Sequence, residues 1–324
     1  MNLSQLVSRV VLIVVLFQAV LALCQNTDGG DSNKSNFTTS ISFMSDTQSP
    51  MKAETLWLKY TDNDTATDRI FSAVALERNT AAVFHLGDIA AIGSNTGQWK
   101  DVEKLRAKLK EAKLPLYPIP GNHDYMISPE KGMTNFRRIF PEVKTTWYEV
   151  RVGSVSIILL DSNFTNLSDE ELSQQQLWYE EQLFRLDNDP SVKAVIVACH
   201  HPAYTNSKIV QASSDVQKEF VPLFNKYRKC RLFISGHSHA FEHFRQQGRD
   251  FLVIGGGGGL LHTLRTGDEQ IWDDLFPEKT ARRFFHYITC EIQEAGIQVS
   301  VRRLMPDQSG FETPYAFLVP WERK

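Results

Sequence analysis

The sequence predicts an α/β protein, and two observations carry that prediction. Short apolar runs of strand character recur along the chain, each soon followed by glycine or polar residues, as is typical of buried strands in an α/β sheet. Segments whose apolar residues repeat every three to four positions lie between the runs and indicate helices that pack on the sheets. The chain has 324 residues, 42 % hydrophobic and 23 % charged, which is enough for one large globular domain.

Five apolar runs are predicted strands, and residues that can bind metal follow each of them. The runs are residues 41–45, 82–86, 116–119, 194–199 and 231–235. In the same order, the residues behind them are Asp46-Thr47-Gln48, Gly87-Asp88, Gly121-Asn122-His123-Asp124, His200-His201 and Gly236-His237-Ser238-His239. Loops that leave strand ends are the usual place for functional side chains. Because carboxylate, amide and imidazole groups suit hard or borderline divalent cations, the pattern predicts a metal site where these loops meet.

Helices and a hairpin are predicted in the segments between and after these strands. One helix has the apolar stripe Trp99, Val102, Leu105, Leu109 and Ala112. A second helix begins at a capping box formed by Ser168 and Glu171. Residues 286–292 and 297–303 are predicted to form a closing hairpin. The glycine run 255–259 lacks a nucleotide-binding spacing, and we expect it to pack its backbone beside the metal site.

Each motif taken singly has an ordinary structural explanation. A Gly-Asp pair is commonly a turn, Gly-Asn-His-Asp is a good turn tetrapeptide, and His-x-His at a strand end occurs on surfaces and in cores. Four further histidines, at positions 85, 243, 262 and 286, are left as core or surface residues. Of these, only His243, four residues past His239, is considered for the lining of the cleft. The metal site is therefore inferred from the motifs together and in order.

From about Ile41 to about Leu304, the chain resembles the calcineurin-like metallophosphoesterases. The family pattern is DxH, GD, GNH[DE], a lone His after a strand, and GHxH, and the motifs above match it in sequence order. Residues 197–200 and 236–242 are most similar to the purple acid phosphatase branch. The resemblance implies a four-layer α/β/β/α sandwich, in which two packed mixed β-sheets are flanked by helices.

The resemblance also implies a site with two divalent metal ions, which could be manganese, iron, zinc or magnesium. Carried over residue by residue, metal one takes Asp46, Gln48, Asp88 and His239, and metal two takes Asp88, Asn122, His200 and His237. Asp88 then bridges the ions. His123 is the expected catalytic histidine, Asp124 is expected to orient it, and His201 is placed just beyond the ligands.

Two residues depart from the family pattern. Gln48 stands where the family has histidine, so a neutral amide oxygen replaces an imidazole nitrogen and metal one should bind more weakly or prefer a harder ion. Ala91 stands where purple acid phosphatases have the tyrosine that holds ferric iron. A purple ferric centre is therefore not expected.

The implied reaction is hydrolysis of a phosphate ester by a hydroxide that bridges the two metals. Phosphomonoesters are the first choice of substrate and phosphodiesters the second, because the same metals serve both reactions. A binding protein on a degenerate phosphatase scaffold is the third possibility, supported by Gln48. The net charge of −3 and the dispersed lysines and arginines give no nucleic-acid-binding patch, so a small or singly presented phosphoester is favoured. The oligomeric state stays open.

The N-terminal residues predict export. Residues 1–24 have the order of a signal peptide, with Arg9, an apolar run and small residues for cleavage, and are too short for an expected membrane span. An uncleaved anchor or a lipidated Cys24 is the alternative. Residues 25–38 are a predicted polar linker, and residues 39–324 the catalytic domain of a secreted or periplasmic protein. The five N-glycosylation sequons that follow the predicted signal peptide suit a secreted protein, and the three cysteines left after cleavage argue against a disulfide framework.

Overall fold

A computed structural model describes residues 38–51, 53–56, 58, 62–278 and 283–322. The predicted signal peptide and residues 25–37 of the predicted linker lie outside these residues. Among the described residues there is no helix with the length and apolar character needed to cross a membrane.

The first of two sheets has six strands in the order β12-β11-β10-β1-β2-β3. Strands β1, β2 and β3 are parallel, whereas β10, β11 and β12 pair antiparallel, so the sheet is mixed. Its strands are β1 (Ser40–Met44), β2 (Thr80–His85), β3 (Leu116–Pro118), β10 (His286–Ile292), β11 (Gly296–Leu304) and β12 (Phe311–Pro320).

The second sheet also has six strands, in the order β4-β5-β6-β7-β9-β8. Its four central strands are parallel, and β4 and β8 are antiparallel edge strands. The strands are β4 (Tyr148–Val152), β5 (Val155–Leu160), β6 (Ala194–Cys199), β7 (Cys230–Ser235), β8 (Phe241–Gln246) and β9 (Arg249–Ile254).

Helices cover the outer face of each sheet. On the first sheet lie α1 (Asn63–Leu76), α2 (Trp99–Glu111) and α3 (Pro129–Ile139), and on the second lie α4 (Asp169–Asn188), α5 (Ser214–Glu219) and α6 (Val221–Lys226). Short 3-10 turns occur at Glu54–Leu56, Phe164–Asn166 and Gly267–Glu269. The helix predicted from the Trp99 stripe is α2, and the predicted capping box of Ser168 and Glu171 begins α4.

These layers form because successive side chains along each strand face opposite sides of the sheet. In β6, Ile196 and Ala198 face the core between the sheets, whereas Val195 and Val197 face the core under α4 to α6. A strand buried on both faces is apolar throughout, which explains the uninterrupted run seen in the sequence. Phe43 and Phe84 stack between the sheets with ring centroids 5.0 Å apart. The predicted four-layer sandwich of two mixed sheets flanked by helices is confirmed.

The predicted closing hairpin is correct but incomplete. Strands β10 and β11 pair as expected, and β12 then adds a further antiparallel strand at the edge of the first sheet.

Cys199, Cys230 and Cys290 are buried free thiols.

Candidate metal centre

All five predicted ligand loops leave the carboxyl ends of parallel strands, so they meet at one edge of the sandwich. The first sheet presents Asp46 and Gln48 after β1, Asp88 after β2, and Asn122 and His123 shortly after β3. The second sheet presents His200 and His201 after β6, and His237 and His239 after β7. The centre is therefore built from both sheets.

One group of possible ligand atoms comes from Asp46, Asp88 and His239. These atoms all lie within 4.8 Å of one another, and the three residues are buried. The Nε2 atom of His239 is 3.4 Å from Oδ1 of Asp46. Because the other ring nitrogen of His239 donates to the carbonyl of Leu260 at 2.8 Å, Nε2 is left with a free lone pair. This is the tautomer that a metal ligand requires.

A second group surrounds His200 and also reaches Asp88. Ligand atoms of His200, His201 and His237 lie within 4.8 Å of one another. The Nε2 atom of His200 is 3.0 Å from Oδ1 of Asn122, 3.2 Å from Nδ1 of His237 and 3.4 Å from Oδ2 of Asp88. Its Nδ1 donates to the carbonyl of Leu86 at 2.8 Å, which again leaves Nε2 as the free nitrogen. Asp88, a member of the first group, thus also lies beside His200 of the second group, as a bridging ligand must.

Gln48 is buried at the edge of the first group. Its hydrogen bonds are best satisfied when the amide nitrogen donates to the backbone carbonyls of Asp88, at 2.9 Å, and Asp46, at 3.2 Å. The opposite amide orientation would point the amide oxygen at these two carbonyl oxygens, acceptor against acceptor, which favours the first. The amide oxygen then lies 3.3 Å from Nε2 of His239, on the side where metal one is expected.

Backbone N–H groups hold both carboxylates in place. The N–H of His123 donates to Oδ1 of Asp88 at 2.8 Å, and the N–H of His237 donates to both oxygens of Asp46 at 3.0 and 2.9 Å. Asp46, Asp88 and His237 themselves have positive φ angles of 59°, 54° and 64°. Such left-handed conformations are uncommon outside glycine and concentrate at functional sites.

His123 points its Nε2 atom toward the bridging residue. Its Nδ1 atom contacts the carbonyl of Ala91 at 2.8 Å, so this nitrogen carries the proton. Its Nε2 atom is 3.9 Å from Oδ2 of Asp88, and the side chain is 12 % exposed. The ring is therefore fixed, with one nitrogen open to the cleft.

The expected orientation of His123 by Asp124 is wrong. The carboxylate of Asp124 accepts hydrogen bonds from the N–H groups of Ala90, Ile89 and Gly121 instead, at 2.9 to 3.3 Å. Consecutive side chains in the turn after β3 point to different sides, so adjacency in sequence did not give contact. Asp124 ties the loop that carries Asp88 to the loop that carries Asn122 and His123.

The electrostatics of the centre favour bound cations. Burial acts to raise the pKa of Asp88, but His200 and His123 outweigh it and hold that pKa well below its usual range. Burial acts to lower the pKa of His200, yet Asp88 raises it to about 9. His237 has a pKa well below its usual range because it is buried beside His200. A bound cation would displace the proton that His200 holds beside Asp88, and buried carboxylates together with imidazoles are a donor set that fits divalent cations.

Glycines let the loops approach one another closely. A Cβ atom on Gly121 would lie 2.2 Å from Oδ1 of Asp88, and one on Gly87 would lie 2.5 Å from the backbone of Gly121. In the predicted glycine run, a Cβ on Gly255 would lie 2.2 Å from the carbonyl oxygen of Ser238, and one on Gly259 would lie 2.4 Å from the ring of His239. The prediction that this run packs beside the site is confirmed.

Two of the unassigned histidines have roles that differ from expectation. His262 is buried against His239, with ring centroids 4.2 Å apart, and so belongs to the centre. The sequence signal that could have found it is the glycine run, which ends three residues earlier. His243 does not line the cleft, because its ring nitrogens contact Tyr315 and Asp250 while its ring stacks on Phe317.

The sequence model of the calcineurin-like phosphoesterases matches residues 39–241. Because this match covers more than half of the chain, the protein belongs to the calcineurin-like phosphoesterase family. Its members are dimetal proteins, and the two residue groups above are the candidates for binding those ions here.

Two curated relatives are phosphodiesterases by description. One is a 3',5'-cyclic-nucleotide phosphodiesterase of a Nostoc species, 28 % identical over 169 residues, which cover 50 % of this chain and 58 % of the relative. The other is a probable glycerophosphodiester phosphodiesterase of Arcobacter nitrofigilis, 29 % identical over 172 residues, which cover 48 % of this chain and 56 % of the relative. The chain thus spans a little more than half the length of these relatives.

Among solved structures, a purple acid phosphatase from yellow lupin seeds is similar in fold. It superposes with a TM-score of 0.64 at 16 % identity, over 87 % of this chain and 54 % of the lupin chain. At this identity the likeness supports the shared fold alone.

Proposed function

We propose that this protein hydrolyses phosphate esters at the centre described above, with phosphomonoesters as the preferred class. The observation that carries the proposal is the position of Asp88, which belongs to the first group of possible ligands, lies 3.4 Å from His200 of the second group and lies 3.9 Å from the open nitrogen of His123. A site for two cations next to a positioned histidine is suited to phosphoester hydrolysis.

The proposed ligands divide between the ions as the family pattern implies. Asp46, Gln48, Asp88 and His239 hold metal one, and Asp88, Asn122, His200 and His237 hold metal two. The Nδ1–H bonds of His200 and His239 to backbone carbonyls support this division, because each leaves Nε2 facing its group. When bound, two divalent cations lower the pKa of a shared water and neutralise charge on the phosphoryl oxygens.

His123 handles the proton in this proposal. The carbonyl of Ala91 keeps a proton on Nδ1, so only Nε2 can gain or lose one at the cleft. A protonated Nε2 can donate its proton to the leaving oxygen as the P–O bond breaks, which neutralises the negative charge that develops on that oxygen and gives the alcohol product.

The choice between monoesters and diesters rests on donors around the centre. A phosphomonoester carries a second negative charge, and His123 and His201 add imidazoles to the ligand groups that could bind it. Phosphodiesters are the second candidate class, because two relatives are described as phosphodiesterases. Paired substrates separate the two classes directly.

The test loads metal-stripped protein with manganese, zinc, iron or magnesium and measures bound metal per chain. Hydrolysis of 4-nitrophenyl phosphate and of bis(4-nitrophenyl) phosphate is then compared at saturating metal. We expect two ions per chain and a higher kcat/KM for the monoester. The variant Asp88→Asn should lose hydrolysis of both esters. Asp161→Asn, a change at a buried aspartate outside both ligand groups, is its matched control. Two bound ions without hydrolysis of either ester would contradict the proposal, and no bound metal would favour the binding scaffold.

Export of the protein remains part of the proposal. We infer cleavage after residue 24, from the order of charged, apolar and small residues in that segment. Sequencing the N-terminus of the protein isolated from its native source tests this, and an intact Met1 would contradict it.

A further inference from the structure

His262 is a buried histidine of the centre that the metal assignment does not use. It is 4 % exposed, and its ring stacks on the ring of His239 with planes 21° apart. The backbone N–H of His262 donates to the carbonyl of His239 at 3.0 Å, which fixes the two residues relative to each other.

The hydrogen bonds of His262 determine which of its nitrogens carries the proton. The backbone N–H of His239 donates to Nδ1 of His262 at 3.2 Å, and the hydroxyl of Ser207 lies 3.4 Å from the same atom. A backbone N–H can only donate, so Nδ1 must be the unprotonated nitrogen. The proton of the neutral ring is therefore on Nε2, an atom that makes none of the hydrogen bonds found among the described residues.

His262 and His123 thus have opposite tautomers. The carbonyl of Ala91 keeps the proton of His123 on Nδ1, whereas the N–H of His239 keeps the proton of His262 on Nε2. At His123 the nitrogen facing the cleft can accept and release a proton. At His262 the remaining nitrogen is a permanent neutral donor, suited to an anionic oxygen that stays in place.

We propose that His262 is a substrate-binding residue whose Nε2–H donates a hydrogen bond to a non-bridging oxygen of the phosphoryl group. This assignment rests on the proposed phosphoester hydrolysis and gives the centre a fixed phosphate donor beside its metal ligands. The bond holds the phosphoryl group while His123 serves the leaving oxygen. No proton is transferred at His262.

Two substitutions separate the two nitrogens of the ring. In His262→Asn, the amide oxygen takes the place of Nδ1 and still accepts from the N–H of His239, but the donor at Nε2 is lost. In His262→Gln, the longer amide places a donor near the position of Nε2. His243→Asn, which changes another buried histidine outside the centre, is the matched control.

The test measures binding of inorganic phosphate to the manganese-loaded full-length protein by calorimetry, with metal content determined for each variant. A hydrogen bond to a charged group corresponds to roughly a 10- to 100-fold change in affinity, so His262→Asn should weaken phosphate binding by that factor with unchanged metal content. His262→Gln should recover part of the loss, and the control should bind as the wild type does.

Three results would overturn the assignment. They are unchanged phosphate affinity in His262→Asn, loss of metal with full recovery on adding excess manganese, and no phosphate binding by the loaded wild type. The second would show that His262 only positions His239. Failure of the proposed function is distinguishable, since a wild type that binds phosphate but hydrolyses neither ester would leave the role of His262 measurable.

Discussion

Replacing Asp124 by asparagine should destabilise the loops that form the centre. The carboxylate is fully buried, and its two oxygens accept hydrogen bonds from the N–H groups of Ala90, Ile89 and Gly121. Asparagine has the same shape but only one acceptor oxygen. Its NH₂ group would therefore face either Ala90 or Gly121, donor against donor.

The cost follows from the lost and weakened bonds. One buried N–H left without an acceptor costs about 1–3 kcal/mol, and the remaining bonds weaken when they lose the charged acceptor, for a total of about 2–4 kcal/mol. For a domain of this size, that corresponds to a fall in melting temperature of roughly 4–10 °C. Burial and the charge of Asp88 raise the pKa of Asp124 to about 7, so the comparison should be made at pH 8 with metal bound.

Asp161→Asn is the matched control for this prediction. Asp161 is also fully buried, but its Oδ2 accepts from the hydroxyl of Tyr125 at 2.7 Å, and a hydroxyl can accept as well as donate. An amide NH₂ can therefore bond to Tyr125, while the amide oxygen keeps the bonds from Asn163. We expect a loss below about 1 kcal/mol. Equal melting temperatures for the two variants in thermal unfolding would refute the role given to Asp124.

Three further predictions concern the reaction itself. Asp88→Asn should reduce hydrolysis to below a few per cent of wild type, because it removes the carboxylate that lies between the two ligand groups. Turnover above that level with metal still bound would refute the bridging role. His123→Ala should keep both metals and slow turnover roughly 10²- to 10⁴-fold, with a smaller loss for substrates whose leaving group is acidic. Equal losses of turnover for good and poor leaving groups would exclude proton donation by His123. Gln48→His should tighten the weaker of two metal sites in titrations of stripped protein with zinc, since imidazole binds zinc better than an amide oxygen does. If both wild-type sites already bind equally tightly, Gln48 is not a weak ligand.

Most of the fold could be predicted from the sequence because the strands are buried on both faces. A run such as residues 194–199 is apolar throughout and ends at a polar loop, and the strand β6 has the same bounds. The convergence of the loops followed from the parallel order of the strands, whose carboxyl ends share one edge of each sheet. Local patterns were sufficient where burial and chain direction decided the outcome.

The edge strand β12 shows where local patterns were not sufficient. It contains Pro314, which argues against a strand interior, and most of its side chains are at least partly exposed, unlike those of the buried strands. The structure accommodates them at a sheet edge, where Thr313 and Pro314 together face Arg302 as a bulge. Only the packing of the whole sheet determines that an irregular segment takes this position.

Within the centre, the sequence indicated the types of the metal ligands, but it did not indicate the histidine tautomers or the contacts that hold the ligands in place. The backbone carbonyl of Ala91 orients His123. Because every residue has such a carbonyl, the residue type does not indicate which one accepts this hydrogen bond. The stacking of His262 on His239 joins loops that are separated along the chain by strands β8 and β9. The contact of Asp124 with Ile89 and Ala90 likewise depends on how two loops cross.

Because both sheets supply side chains to the centre, the proposed ions would cross-link the two sheets. Each would be held from one side by residues behind β1, β2 or β3, and from the other by residues behind β6 or β7. Ligand binding to the native state alone stabilises it, so metal loading should resist sliding of one sheet over the other. Conversely, metal affinity should depend on how well the apolar side chains between the two sheets are packed. Shortening the side chain of Ile196, which lies in that layer, would then weaken metal binding although Ile196 is not a ligand.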